Sequence, residues 1–88
     1  MDRILRVSIE NEPEVLMRIT ALLKRKGYNM RKIVMETDML TDRACVDITL
    51  MDCGNTFGRA INTIEKVVDV HYVEELEILN HGSVHHLR

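Results

Sequence analysis

The part of the sequence most able to do chemistry is a polar corner, Glu10-Asn11-Glu12-Pro13-Glu14, between a predicted strand and a predicted helix. The N–H groups and the positive dipole end at a helix start favour a bound anion such as a small carboxylate. Glu14 lies within the first turn of that helix, where such a ligand would need open backbone. The corner therefore combines the backbone donors of a carboxylate-binding site with a side chain, Glu14, whose negative charge repels a carboxylate.

The charge of Glu14 decides how well that site could work. Two carboxylates about 4 Å apart repel by roughly 1 kcal/mol in water and by roughly 4 kcal/mol at the dielectric of a protein surface. Such repulsion lowers ligand affinity by about fivefold to a thousandfold. The same side chain stabilises a helix N-terminus by about 0.3 to 1 kcal/mol. We predict that the corner serves helix stability where a ligand site would otherwise be expected.

The histidines and cysteines do not form a recognisable site. They are His71, His81, His85, His86, Cys45 and Cys53. The histidines lack carboxylate or cysteine partners at metal-ligand spacing, so we expect them to be solvated and predict no metal site. The cysteines form no CxxC pair, which is typical of a protein in a reducing compartment. We therefore expect a cytoplasmic protein.

Composition and charge disfavour several functions. The 88 residues, enough for one domain, have a net charge of −2, which gives no long-range attraction for nucleic acid or anionic lipid. Aromatic residues make up only 3% of the chain, too few for a base-stacking surface. No apolar run is long enough to span a membrane. No Ser, His and acid set or carboxylate pair is expected to share a cleft, so we predict that the chain is not an enzyme.

The elements around the corner are well marked. Residues 4–10 alternate between apolar and polar, as a half-buried strand requires. Asn11 or Glu12 is placed to cap the helix that follows, and Pro13 suits its first turn. Apolar residues then recur at helical spacing, at Val15, Leu16, Ile19, Leu22 and Leu23. Gly27 is predicted to end this helix.

The middle of the chain reads as two strands joined by a turn. Residues 28–37 form the first of these, and the apolar alternation slips between Met30 and Ile33, which indicates a β-bulge. Residues 38–42 are rich in turn formers. Residues 44–51 then alternate cleanly, so a third strand is predicted there.

The remaining segments complete one fold. Apolar spacing predicts a second helix from Phe57 to Val67 or Val68, and a fourth strand follows from Val68 through about Leu79. The order strand, helix, strand, strand, helix, strand predicts a ferredoxin-like α+β fold with both helices on one face of a four-stranded antiparallel sheet. Because the second and fourth strands would leave open edges, we expect a homodimer that pairs through sheet edges.

The residues on both sides of the first helix resemble the ACT domain. The resemblance rests on Ile9-Glu10-Asn11-Glu12-Pro13-Glu14-Val15-Leu16, on Arg18-Ile19 and on Lys26-Gly27-Tyr28-Asn29. More narrowly, the chain is similar to the acetolactate synthase small (regulatory) subunits, in particular to the short type with a single ACT domain. The likeness covers roughly residues 3–77. It implies an ACT domain at residues 1–79, followed by a polar C-terminal tail at 80–88 that is expected to be disordered.

The resemblance also implies a function. A small subunit of this kind is a non-catalytic regulator that binds and activates the large acetolactate synthase catalytic subunit in branched-chain amino acid biosynthesis. Thiamine diphosphate, Mg²⁺ and FAD would belong to that partner, and we expect no cofactor in this chain. The alternative is a free-standing ACT-domain sensor, a dimer that binds valine, leucine or isoleucine.

The resemblance places any amino-acid ligand between two copies. The corner of one copy and the asparagine of the Gly-Tyr-Asn turn of the other would bind it. The implied ligand contacts are Asn11, Glu12, Pro13, Glu14, Val15, Leu16 and Asn29. The family commonly has a small residue, often glycine, where this chain has Glu14. We therefore expect weak or no feedback ligand binding.

Overall fold

The computed structural model describes residues 2–76, which form one antiparallel sheet and two helices. In chain order the elements are β1 (Arg3–Glu10), α1 (Pro13–Arg25), β2 (Asn29–Asp38), β3 (Arg43–Met51), α2 (Phe57–Glu65) and β4 (Val70–Leu76). A short 3₁₀ turn, Gly54–Thr56, leads into α2. This order confirms the predicted ferredoxin-like fold. The predicted tail at 80–88 and the predicted end of the fourth strand lie outside the described residues.

The sheet has the strand order β2-β3-β1-β4, so β2 and β4 are its edges. All neighbouring strands are antiparallel, and the register sets Leu5 opposite Ile48 and Val7 opposite Val46. The α1 connection therefore crosses over β3, and the α2 connection crosses over β1. These two crossovers set the β1–α1 corner at one end of the sheet and the α1–β2 turn at the other.

The core lies between the helices and one face of the sheet. Its residues are apolar and buried: Leu5, Val7, Ile9, Val15, Ile19, Leu23, Ala44, Val46, Ile48, Leu50, Phe57, Ala60 and Ile64. Burying each larger aliphatic side chain stabilises the fold by about 1.5 to 3 kcal/mol before entropy is counted. The alternate residues of β3 are only half-buried, and the Cα framework is 17 Å across its thinnest dimension. Residues 2–76 thus form two layers, and nothing in this part of the chain covers the second sheet face.

Local sequence signals position α1. Pro13 occupies the start of the helix, Glu14 is in the first turn, and Lys24 and Arg25 are in the last turn, which matches the helix dipole at both ends. Gly27 follows with a φ of +93°, a left-handed conformation that favours glycine. The prediction that Gly27 ends this helix is confirmed.

Two details of the strands differ from or extend the prediction. The bulge in β2 is confirmed, because the β2–β3 register shifts between Met30 and Lys32. The fourth strand begins at Val70, so its predicted start at Val68 was wrong. Asp69 has a φ of +72°, and the Val70 N–H donates to the Val67 carbonyl at 3.2 Å, which keeps this segment in a turn.

Candidate functional site

The β1–α1 corner, residues 11–16, uses several of its backbone donors within the chain. The Asn11 N–H donates to the Asp42 carbonyl at 3.0 Å, and the Glu12 N–H donates to the Glu10 carbonyl at 2.7 Å. The Val15 N–H donates to the Glu12 carbonyl at 3.0 Å. These bonds tie the corner to the β2–β3 turn and close the first turn of α1. They also occupy donors that an anionic ligand would need.

The backbone donor that remains in the corner belongs to Glu14. Pro13 has no N–H, and no backbone bond from the Glu14 amide is formed within residues 2–76 apart from any inside α1. The Glu14 side chain is exposed and is held in the first helical turn. A ligand carboxylate that approached this amide would therefore meet the Glu14 carboxylate next to it.

The cap of α1 is made by the backbone. Glu12 is the N-cap residue, with an extended φ of −136°, and its side chain makes no capping hydrogen bond. The sequence allowed either Asn11 or Glu12 as the N-cap residue of α1, and in the structure the N-cap residue is Glu12. Neither side chain performs the usual N-cap role of accepting a bond from the second or third helical N–H in this structure.

The implied ligand residue Asn29 lies far from the corner. Asn29 begins β2 opposite Met51, whereas Glu10, just before the corner, is opposite Arg43 at the other end of β3. The thirteen residues of α1 separate the two places by about 20 Å along the helix axis. The structure thus groups Asn11, Glu12, Pro13, Glu14, Val15 and Leu16 but not Asn29. Only a second copy could bring Asn29 to the corner.

A cavity of about 470 Å³ lies beside Asn29. It is lined by Lys26, Gly27, Tyr28, Asn29, Met51, Asp52, Cys53, Thr56, Arg59 and Thr63. The Tyr28 hydroxyl donates to the Thr56 carbonyl at 2.8 Å and so joins the α1–β2 turn to the 3₁₀ turn. Met51 and Cys53 contribute apolar surface, while Lys26 and Arg59 contribute positive charge. We call this the basal cavity. The sequence did not predict it, because its lining residues come from distant segments.

The uncovered sheet face has one ion pair near its centre. The Arg6 guanidinium donates two hydrogen bonds to the Asp47 carboxylate, at 2.8 and 2.9 Å. The hydrogen bonds to Asp47 raise the pKa of Arg6 above its ordinary value, against the opposing effect of burial. Cys45, half-buried on the same face, has its thiol pKa raised by burial. A low-pKa, reactive cysteine is therefore not what this environment produces.

The sequence led us to expect a solvated His71. In the structure, His71 lies near the corner and contacts an acidic side chain. Its Nε2 atom is 2.5 Å from a carboxylate oxygen of Glu10. This contact joins the start of β4 to the end of β1, where the register of these two strands shifts after Ser8. Sequence spacing gave no signal for it, because the residues are 61 positions apart.

Within residues 2–76, no group of three His, Cys, Asp or Glu side chains converges as a metal ion would require. In the same residues, neither helix is long and apolar enough to cross a membrane.

The strand order, the one-sided helices and the corner after β1 define an α+β domain of the ferredoxin-like class. Solved ACT domains superpose on it. The ACT domain of GTP pyrophosphokinase from Chlorobium tepidum, determined by NMR, matches with a TM-score of 0.73 and 20% identity, over 92% of this chain and 91% of that chain. The chain has the fold of an ACT domain, so the resemblance noted in the sequence is confirmed at the level of fold.

An acetolactate synthase small subunit also superposes. The small subunit from Thermotoga maritima matches with a TM-score of 0.80 and 19% identity over 91% of this chain. The match covers 50% of that subunit, so this chain spans about half of its length. No protein-family model matches the chain, and no curated protein matches it.

Proposed function

We propose that this chain is a non-catalytic regulatory subunit that binds an acetolactate synthase catalytic subunit and raises its activity. The observation that supports this most is the superposition on an acetolactate synthase small subunit with a TM-score of 0.80. The residues of the corner and of the Gly-Tyr-Asn turn resemble the same family. Thiamine diphosphate, Mg²⁺ and FAD would be held by the catalytic partner.

Activation of this kind needs a difference in affinity between two states of the partner. The regulatory chain must bind the competent state more tightly than the incompetent one. A preference of about 1.4 kcal/mol changes the ratio of the two states tenfold. Within residues 2–76, one sheet face and the edges β2 and β4 are unpartnered and offer surface for such a contact. We propose that the chain also forms a homodimer through a sheet edge.

We further propose that feedback binding of a branched-chain amino acid is weak or absent. The internal bonds of the Asn11, Glu12 and Val15 amides support this, as does the position of Glu14. The alternative is a sensor dimer that binds valine, leucine or isoleucine between copies. This alternative is supported by the distance between Asn29 and the corner within one copy, because a second copy is the arrangement that would place an Asn29 side chain beside the corner.

Sedimentation velocity with the purified catalytic subunit tests the proposal. We expect the full chain, mixed with that subunit at about 10 μM, to sediment with it as a complex, as micromolar affinity requires. Bovine serum albumin in place of the catalytic subunit is the control for nonspecific association. Separate sedimentation of the two proteins at this concentration would overturn the proposal.

A further inference from the structure

We propose that the uncovered sheet face carries a binding site for an aliphatic polyamine, a flexible chain with several ammonium groups. The site is a pocket of about 450 Å³ toward the end of the sheet that has the β2–β3 turn. We call it the face pocket. The residues of its lining that matter here are Ser8, Glu36, Asp38, Arg43, Cys45 and Tyr72. The inference does not depend on the regulatory function proposed above.

Each of the four strands contributes one side chain to the face pocket. Register sets Glu36 of β2 opposite Cys45 of β3. Cys45 is in turn opposite Ser8 of β1, and Ser8 is opposite Tyr72 of β4. These four side chains form one row across the sheet. Since neighbouring strands are about 4.8 Å apart, the row spans about 14 Å. The pocket is therefore elongated and suits a long, narrow ligand.

Ser8 is the residue that points most directly to a ligand. It is 8% exposed, and it is the one buried polar residue in residues 2–76. Its hydroxyl forms no hydrogen bond within that part of the chain. No fully buried side-chain oxygen in residues 2–76 lacks a hydrogen bond, so this hydroxyl must open into the pocket that Ser8 lines. It is free to hydrogen-bond to a group that occupies the pocket.

The charge of this sheet face is negative. Its acidic residues in residues 2–76 are Glu10, Glu36, Asp38, Asp47 and Glu74, and its basic residues are Arg6, Lys32 and Arg43. Five carboxylates and three cations leave a net charge of −2, with His71 counted as neutral. Two of the carboxylates have partners, since Asp47 is bonded to Arg6 and Glu10 contacts His71. A concave surface of this charge attracts cations.

The other carboxylates lie at both ends of the row. Glu36 and Asp38 are on β2, and Glu74 is on β4, on the same face as Tyr72. None of these three carboxylates forms a salt bridge within residues 2–76. Arg43 is opposite Asp38 in register and offsets part of its charge, so we expect Glu36 and Glu74 to contribute most. A chain with an ammonium group at each end can pair with both, whereas a compact ion can reach only one.

The Cys45 thiol, in the middle of the row, responds to these charges. Burial is the largest effect on its pKa and raises it, and Arg6 opposes that effect. The carboxylates of Asp47, Glu36 and Glu74 raise the pKa further. Three carboxylates therefore act on the middle of the row against one guanidinium, and a cation bound there is stabilised by the same charges.

The middle of the row also suits the methylene groups of a polyamine. The raised pKa keeps the Cys45 thiol neutral at neutral pH, and Tyr72 is 51% exposed. Methylene groups pack on such surfaces, and an ammonium group is attracted to the face of an aromatic ring. The Ser8 hydroxyl, between the two, can accept a hydrogen bond from an ammonium group within the chain.

Spermidine, which carries three ammonium groups, is the probe for the full chain. We expect it to bind saturably at low ionic strength, with a Kd below about 1 mM by isothermal titration calorimetry. In nitrogen–proton correlation spectra, the amide shifts are expected to be largest at Ser8, Cys45 and Tyr72 and small at Asn29 and Arg59 of the basal cavity. The absence of saturable binding up to about 10 mM, or largest shifts at the basal cavity, would overturn the inference.

Substitutions compare the two ends of the row with an unrelated carboxylate. We expect Glu36→Gln and Glu74→Gln each to raise the spermidine Kd by about fivefold or more, because each removes one charge pair. Glu65→Gln, which removes an exposed carboxylate of α2, is the matched control and is expected to change the Kd by less than about twofold. Equal effects of all three variants would mean attraction to net charge alone and would contradict the proposed site.

A comparison of ligands in the unmodified chain tests the elongated shape. Putrescine, a shorter chain with two ammonium groups, is expected to bind about fivefold or more weakly than spermidine. Mg²⁺ at the same concentration is expected not to displace spermidine. Equal affinity for both amines, or displacement by Mg²⁺, would overturn the inference. Thermal melts by circular dichroism check the fold of each variant, and this comparison decides the question even where a variant is unfolded.

Discussion

Glu14 is the residue on which the proposed weakness of ligand binding depends. Its amide is the corner donor that the surrounding backbone leaves for a ligand, and its side chain sets a negative charge beside that donor. The same charge stabilises the start of α1 by about 0.3 to 1 kcal/mol. One side chain therefore supports the helix and opposes an anion at the same position.

Replacing Glu14 tests this directly. We expect Glu14→Gly to bind valine at least about tenfold more tightly than the unmodified chain, because both the repulsion and the bulk of the side chain are removed. Glu14→Gln, which keeps the size and removes the charge, separates the two effects. Isothermal titration calorimetry measures the affinities. Equal affinities for all three proteins would refute the role assigned to Glu14.

Cys45 is predicted to be a slow nucleophile. Burial raises the pKa of its thiol, so a smaller fraction is ionised at neutral pH than in free cysteine. We expect iodoacetamide to alkylate Cys45 more slowly than it alkylates glutathione at pH 7.5, and the rate to increase as the pH is raised further. The modification is followed by peptide mass spectrometry in the Cys53→Ser variant, in which Cys45 is the one remaining cysteine. Alkylation at or above the glutathione rate would contradict this prediction.

At the scale of the elements, the two glycines near the helices should respond oppositely to alanine. Gly27 has a φ of +93°, and an added Cβ would have nothing within 4 Å, so the cost is backbone strain alone. We expect Gly27→Ala to destabilise the fold by about 1 to 2 kcal/mol. Gly58, inside α2 and equally open, is not in the left-handed region, so Gly58→Ala is expected to stabilise by about 0.5 to 1 kcal/mol.

Urea denaturation of both variants measures these changes. In a thermal melt, each kcal/mol of destabilisation lowers the melting temperature of a small domain by about 4 to 8 °C. Destabilisation of similar size in both variants would mean that the conformation of Gly27 is not what fixes the end of α1.

Most elements could be predicted because their signals are local. The alternation in β1 and β3, Pro13 and Gly27 around α1, and the slip near Met30 are all properties of neighbouring residues. The start of β4 could not be predicted this way. Val67 and Val68 look equally apolar in the sequence, but Val68 is 70% exposed, and the left-handed Asp69 delays the strand until Val70.

The candidate site was only partly accessible from sequence. The polar corner and its acidic residue are adjacent in the chain, so their closeness was predictable. The bond from the Asn11 amide to the Asp42 carbonyl and the contact of His71 with Glu10 depend on the order of strands in the sheet. The basal cavity also forms only when four segments meet. Periodicity and spacing contain no signal for such contacts.

At the scale of the whole molecule, charge is divided between the two ends of the sheet. Within residues 2–76, the end with the corner and the β2–β3 turn has seven acidic residues: Glu10, Glu12, Glu14, Asp38, Asp42, Glu65 and Asp69. The opposite end has six basic residues: Arg3, Lys24, Arg25, Lys26, Arg31 and Arg59. Arg43 and Lys66 offset part of the acidic charge at the first end, and Asp2, Asp52 and Glu75 offset part of the basic charge at the second. When two copies associate in antiparallel orientation, the acidic end of each lies beside the basic end of the other. In parallel orientation, ends of like charge lie together.

Within residues 2–76, the two-layer architecture leaves one sheet face free. That face combines the Arg6–Asp47 ion pair with exposed Val34 and Tyr72. A side-by-side dimer would form a continuous eight-stranded sheet with all helices on one side, and the uncovered faces of both copies would be continuous.

The measurement that tests the account most directly is the turnover of an acetolactate synthase catalytic subunit with and without this chain, in the presence and absence of valine. The account predicts that adding the chain raises turnover and that valine changes the activated rate little, because Glu14 and the bonded amides of the corner disfavour the ligand. A turnover that the chain does not raise would contradict it, as would strong inhibition of the activated enzyme at micromolar valine.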